Sequence, residues 1–451
     1  MNEAAPQRQL TLLQTSSIIV GTVIGSGVFI SLPIAAEIAG STAMHVLIWF
    51  LGGLVWIPQV FVLAEMGTAY PIQGGGYYYL NKAGSPFLAF LYTWTAFLTS
   101  DTPTLTILSL SAISALKVFS SVLGNPFIAK VLAAAVITAF ALLHVRSVRV
   151  GGHSQVFLTA VKIIPLISIV GFGLWYLLSG TSNLAVPPEH ASDKSVFAII
   201  TAGISATLWS YAGFTNILYM AGEVKNPSRN IPLSLIGSLV FVMGGYTLIA
   251  LCTSAIVPFP ALIGVKGEFV NPFLHIPLFA GSAGAIFAIA ASTSMIGCLN
   301  ASIMSQPRLE YAIARDGLFF KVFGHLHPRY LTPDYSILIQ AGLAILMLLL
   351  GNIEQLLGYF TMSYALQNGL MYGAIFFLRK RDDYHPTYKA PLWFTMASVS
   401  IIIQLYIAVG TFLAYPLAGI LSALFLIGSG FPIYRYYYVH RQRQTQSLLS
   451  P

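Results

Sequence analysis

Gly25, Ser26 and Gly27 are three small residues in the middle of the apolar run 10–39. They sit inside Val20-Gly21-Thr22-Val23-Ile24-Gly25-Ser26-Gly27-Val28-Phe29, a stretch otherwise suited to crossing a bilayer. Glycine loses the most backbone entropy on becoming helical, so a helix is weakest here. Two arrangements fit this stretch alone. One is a seam where small residues let membrane helices approach closely. The other is a helix that unwinds at depth, tolerated only where protein or a water-filled cavity surrounds the freed backbone groups. The second half of such a helix opens on bare N–H groups at the positive end of its dipole, which attract an anion.

A second interruption lies in the apolar run 197–221: Thr207-Leu208-Trp209-Ser210-Tyr211-Ala212-Gly213-Phe214-Thr215-Asn216. Paired breaks at matching positions in two halves point to an inverted-repeat transporter with its site near the midplane. That pairing favours the unwound helix over the seam. Lys162 lies within the run 154–179, about 12 Å deep at 1.5 Å per residue. An ammonium there costs on the order of 2.5–3.5 kcal/mol or more unless it snorkels or finds partners. Asp101, in the run 86–116, needs a partner or a proton for the same reason.

The elements that must position these residues are membrane helices. The chain is 56% hydrophobic and only 8% charged, against about 25% charged in soluble domains. Runs of roughly 20 apolar residues give twelve candidate spans: 11–39, 43–67, 86–116, 126–144, 154–179, 197–221, 232–256, 274–306, 335–350, 353–379, 392–412 and 416–438. The net charge of +8 follows topology. Most Lys and Arg fall on the side of the termini, while the opposite loops carry only Lys117, Lys194 and Lys266. By the positive-inside rule both termini are cytoplasmic, and nucleic-acid binding is not expected. No cleavable signal peptide is evident. Cys252 and Cys298 lie in apolar runs and read as small core residues, with neither a disulfide framework nor a metal site indicated. No repeated filter sequence suggests a channel, and no HExxH, paired intramembrane aspartates or serine–histidine arrangement suggests an enzyme.

The ordered motifs resemble the amino acid–polyamine–organocation (APC) superfamily, and within it the L-type amino acid transporter (LAT) family, close to bacterial serine/threonine exchangers. The resemblance rests on 20–29, on Ala64-Glu65-Met66-Gly67 with Pro71 and Gly74-Gly75-Gly76-Tyr77, and on Gly151-Gly152 with Gln155 and Val161-Lys162-Ile163-Ile164-Pro165. It continues through Glu223-Val224-Lys225-Asn226-Pro227-Ser228-Arg229-Asn230-Ile231-Pro232, Gly297-Cys298-Leu299-Asn300, Pro307-Arg308 and Ala314-Arg315-Asp316-Gly317.

The resemblance implies an all-α membrane protein with a LeuT-like 5+5 inverted repeat and twelve transmembrane helices, the first and sixth unwound. The repeats would be 11–179 and 197–379, with 392–438 adding two helices. It implies Na⁺-independent, alternating-access exchange of small or neutral L-amino acids across the inner membrane of the cell. The alternative is proton-coupled or exchange transport of basic amino acids or polyamines, favoured by Trp209 and by Asp101. No cofactor is implied. The segment 117–126 lacks the cysteine by which animal LAT proteins join a heavy chain, so no disulfide-linked heavy chain is expected.

An amino acid zwitterion needs donors for its carboxylate and acceptors for its ammonium. The resemblance assigns this to Val23, Ile24, Gly25, Ser26 and Gly27 in the first span, and to Trp209, Ser210, Tyr211, Ala212, Gly213 and Phe214 in the sixth. N–H groups of Ser26 and Gly27 would take the carboxylate, and unbonded carbonyls of Val23, Trp209 and Ala212 the ammonium. Trp209 and Phe214 are candidates for shaping the pocket. Lys162 would stand where sodium-coupled relatives bind Na⁺, with Ser294 facing it and Tyr246 near the unwound segments. Glu65, His45 and His144 read as structural, and the segment from Glu223 to Arg229 as a hinge or gate.

Overall fold

The computed structural model describes residues 7–25, 27–185, 195–263, 270–279, 281–350, 353–414 and 416–449. Among these residues there are helices and no strands, with one isolated parallel bridge between Leu10 and Val224. Lipid offers no partner for backbone N–H and C=O groups, so a chain this apolar must satisfy them within helices.

The helices in order are α1 (Leu12–Val23), α2 (Gly27–Ala39), α3 (Thr42–Leu54), α4 (Ile57–Ala69), α5 (Gly75–Lys82), α6 (Pro86–Thr95) and α7 (Thr102–Ala115). There follow α8 (Pro126–Arg146), α9 (Val148–Leu178), α10 (Val196–Leu208), α11 (Asn216–Tyr219), α12 (Pro227–Ile256) and α13 (Phe259–Ile263). The last group is α14 (Ala283–Ser305), α15 (Pro307–Arg315), α16 (Asp334–Leu350), α17 (Ile353–Gly373), α18 (Ile375–Leu378), α19 (Trp393–Ala414) and α20 (Pro416–Leu449). Among the described residues seven helical stretches are long and apolar enough to cross a bilayer, and the bent pair α1 and α2 makes an eighth.

Local chemistry sets several boundaries. Thr11 and Gln14 cap α1 reciprocally: the Gln14 N–H donates to Thr11 Oγ1 at 3.4 Å and the Thr11 N–H to Gln14 Oε1 at 2.9 Å. Asn125 accepts from the N–H groups of Phe127 and Ile128, and Pro126 occupies the first turn of α8, where its missing N–H costs nothing. Ser147 caps α9 in the same way.

Helix α1 lies at the centre, packed against α9, α12 and α14. Its start is tied to the end of the sixth span. Gln9 and Leu10 N–H donate to Glu223 O at 2.8 and 2.9 Å, and Lys225 N–H donates to Leu10 O at 2.8 Å. Glu223 also pairs with Arg308 at 2.9 Å, both side chains being fully enclosed. His45 bonds Ser254 and Trp49, and His144 bonds Asn300, as structural histidines do.

Glu65 is a second buried tie. It accepts from Arg379 Nε and Nη2 at 2.7 and 2.6 Å, from Tyr384 Oη at 3.0 Å and from the Ala390 N–H at 2.7 Å. The Arg379 guanidinium also lies 4.4 Å from the Trp393 ring centroid. Bidentate charge-assisted pairing of this kind is among the strong hydrogen-bonding geometries. Removing either partner leaves a charge without its match. Arg379→Ala strands the fully buried carboxylate and should cost about 3 kcal/mol. Glu65→Ala should cost less, because the arginine it leaves behind is partly solvated. The double variant should fall well short of the sum of the two; thermal unfolding in detergent reads all three.

Candidate functional site

The first apolar run holds two helices that meet at an angle. Helix α1 ends at Val23, Ile24 leaves helical geometry at ψ 88°, and α2 restarts at Gly27 with the axis bent by 48°. Ser26, expected to take the carboxylate, lies outside the described residues. A continuing helix would bond the Gly21 carbonyl to the Gly25 N–H. Instead the Gly25 N–H turns back to Val23 O at 2.9 Å. The Gly21 carbonyl is taken by Lys162 Nζ at 2.7 Å and by Cys298 Sγ at 2.9 Å. Lys162 Nζ also donates to Ile24 O at 2.7 Å and to Ser294 O at 3.4 Å. Ser294 Oγ adds a bond to Ile24 O at 3.1 Å.

Lys162 is therefore not snorkelling. It is 2% exposed, and charge-assisted bonds worth on the order of 1.5–3 kcal/mol each compensate the desolvation of its ammonium. The geometry follows from helical periodicity. Gln155, Thr159 and Lys162 share one face of α9 and meet the carbonyls of Ser17, Gly21 and Ile24 on one face of α1. Close approach needs glycine: a Cβ on Gly297 would lie 2.8 Å from Lys162 Cε, and one on Gly21 would run into the Gln155 amide.

The sixth span also changes course. Helix α10 stops at Leu208, a tight turn spans Trp209–Tyr211, and α11 begins at Asn216. Gly213 has φ +128°, a region closed to side chains, and a Cβ there would meet the Thr22 backbone at 3.2 Å. The two breaks face one another. Thr22 Oγ1 lies 3.3 Å from Gly213 O, Ser210 Oγ donates to Ser31 Oγ at 3.0 Å, and Tyr246 Oη lies 3.2 Å from both Val23 O and Ser210 O.

Some expected contacts change. The Val23 carbonyl, expected to be unbonded, accepts from both the Gly25 N–H and Tyr246. Tyr211 is enclosed, its hydroxyl on Trp49 O at 2.7 Å and its ring against Tyr246. Phe214 is fully buried against Trp56, a packing position. The side chain of Trp209 lies outside the description. Among the described residues of the two breaks, Thr22, Ala212 and Gly213 keep partial exposure, so backbone dominates what a ligand could reach. Cys298 is buried and free as expected, yet its thiol belongs to this site. Its only sequence signal was its place in the Gly297-Cys298-Leu299-Asn300 motif.

Several apolar helices of bilayer-crossing length, with interrupted helices facing one another, are the architecture of a multi-pass membrane protein. Comparison with known proteins agrees: residues 10–433 match the family model described as amino acid permease, and the chain belongs to that family. It is 28% identical over 437 residues to the serine/threonine exchanger SteT of Bacillus subtilis (strain 168), covering 95% of this chain and 96% of that one. It is 28% identical over 444 residues to the human b(0,+)-type amino acid transporter 1, covering 96% and 88%. The human cystine/glutamate transporter is 27% identical over 400 residues, covering 86% and 77%.

Two variants test this geometry. Lys162→Ala should leave a folded, monodisperse protein while cutting transport by about tenfold or more, since two strong carbonyl bonds are lost. Tyr246→Phe removes one hydroxyl shared between the breaks and should slow transport by about five- to tenfold, near 1 kcal/mol. Near-normal turnover of either variant in proteoliposomes would remove the role given to that side chain.

Proposed function

We propose that the protein exchanges small or neutral L-amino acids across the inner membrane by alternating access, without Na⁺, with both termini in the cytoplasm. The fold would be the LeuT-like 5+5 inverted repeat, 11–179 with 197–379, each half opening on an interrupted span, and 392–438 appended. The observation that carries this reading is the Lys162 ammonium on the Gly21 and Ile24 carbonyls. It is a fixed cation on the broken span, where the resemblance implies a bound sodium ion in coupled relatives.

Exchange is supported by the relatives, a serine/threonine exchanger and a cystine/glutamate transporter. A site read mainly by backbone at Ala212, Gly213 and the first break recognises what all α-amino acids share. Substrate ammonium would meet the Ala212 carbonyl, and carboxylate the N–H groups that open α2. A small side chain suits the enclosure made by the buried Phe214 and Tyr211. Both cysteines of the chain are buried, which argues against a disulfide-linked heavy chain. The second reading, proton-coupled or exchange transport of basic substrates, draws on the buried Asp101.

Purified protein in liposomes loaded with L-serine should accumulate labelled L-serine by counterflow, equally with Na⁺ or choline outside. Excess arginine should compete poorly. Strict dependence on Na⁺ would overturn the coupling claim, and competition by arginine stronger than by alanine would transfer the assignment to basic substrates.

A further inference from the structure

Between α6 and α7 the chain makes a π-helical segment, Ala96–Asp101. Such segments are rare and are found frequently at functional sites. This one ends on Asp101, 5% exposed, whose Oδ1 accepts from Ser100 Oγ at 3.3 Å and whose Oδ2 has no hydrogen-bond partner. A second acid comes from α15. Glu310 is 0% exposed, and neither of its carboxyl oxygens is hydrogen-bonded. Asp101 lies within electrostatic reach of Glu310 and of the Tyr92, Tyr219 and Tyr364 hydroxyls. Tyr92 and Tyr219 are 3.1 Å apart, and Tyr364 Oη is 3.3 Å from Thr215 Oγ1. Asp101 thus lies near Tyr219 of α11, the short helix that leaves the sixth-span break.

Of the charged groups on the elements around α15, Arg308 holds Glu223 through Nε and Nη2, Lys82 holds Asp383, and His325 meets Asp334. Arg308 Nη1 is buried without a hydrogen-bond partner. Tyr77 donates to Asp316 at 2.6 Å, while the neighbouring Tyr79 hydroxyl is buried without a partner. No cationic side chain bonds either acid among the described residues. A buried, unpaired carboxylate carries a penalty of several kcal/mol, so each acid must hold a proton or a cation. The enclosure favours the smallest one, because two carboxyls at 5% and 0% exposure leave no way in for a guanidinium or aminoalkyl side chain.

We propose that Asp101 and Glu310 form a proton-binding pair, loaded and discharged during the transport cycle, which makes exchange by this protein proton-linked. The proposal rests on the transporter reading above. Loading transfers a proton from water to one carboxylate oxygen, and discharge returns it; no other bond forms or breaks. Bending at Gly213 would carry Tyr219 away from Tyr92 and let water reach the acids. If the cycle needs the loaded pair, exchange is fastest at low pH and declines as the pair loses its proton. Glu310→Gln or Asp101→Asn imitates a loaded acid and should hold the fast rate at every pH.

The test is L-serine counterflow in proteoliposomes buffered equally on both sides, from about pH 6 to about pH 8. Wild-type exchange should fall about three- to tenfold over that range, and Glu310→Gln or Asp101→Asn should flatten the change below about twofold. An unchanged pH profile in both variants overturns the proposal. So does a flat wild-type profile, or a variant effect confined to the KM for lysine or arginine, which would make the pair a side-chain subsite. If the variants do not fold, infrared difference spectra of wild type across the same pH range decide: a protonated-carboxyl C=O band that comes and goes supports the pair, and its absence overturns it. Failure of serine, alanine and arginine alike to exchange at any pH would instead strike the transporter reading, with the infrared measurement still deciding the acids.

Discussion

The rest of this structure depends on one substitution: the ammonium of Lys162, from α9, in place of a backbone N–H. Once the Gly25 amide turns back to Val23, the Gly21 carbonyl is left in a low-dielectric interior with nothing of its own helix to accept from. Leaving it bare would cost on the order of 1–3 kcal/mol, and the Ile24 carbonyl as much again. Lys162 covers both, with Cys298 and Ser294 filling the remaining lone pairs. The lysine in turn could not be buried without those carbonyls. Break and cation are each other's condition, which is why the interruption stays at one place in the first span instead of fraying.

The same logic organises the neighbours. Helices α9, α12 and α14 each send a polar group to the end of α1: Lys162, Tyr246, and Ser294 with Cys298. The sixth-span break is held to the first through Thr22, Ser210 and the hydroxyl of Tyr246. Movement at one break is therefore felt at the other through direct hydrogen bonds. The Leu10–Glu223–Arg308 arrangement closes the opposite ends of the same two spans.

Much of this could be read in the sequence, and the reason is composition. In a chain so apolar, a run of small residues or a lone charge stands out, so Gly25, Gly213 and Lys162 were legible. Three kinds of information were not. Cys298 resembles any small core residue until the carbonyls beside it are known. Free carbonyls have no sequence signature, because every residue has one, and that is why Val23 was expected open and is instead bonded by Tyr246. Glu310 stands among Arg308, Arg315 and Asp316 in a helix that reads as a polar surface segment; only packing against α5, α6 and α16 puts it inside. It lies past the end of the apolar run 274–306, where an acid has the look of a surface residue.

The separation along the chain between the first break and its partners has a consequence for biogenesis. The lysine that caps the Ile24 carbonyl is 138 residues downstream, and the Cys298 thiol that meets the Gly21 carbonyl is 277 residues downstream. While the ribosome is still making those later spans, the first one has reached the bilayer with no donor to receive its freed groups. Lipid cannot supply one. A first span that reaches the bilayer alone should therefore stay helical through this segment and open only once Lys162 and Cys298 are there to receive its carbonyls.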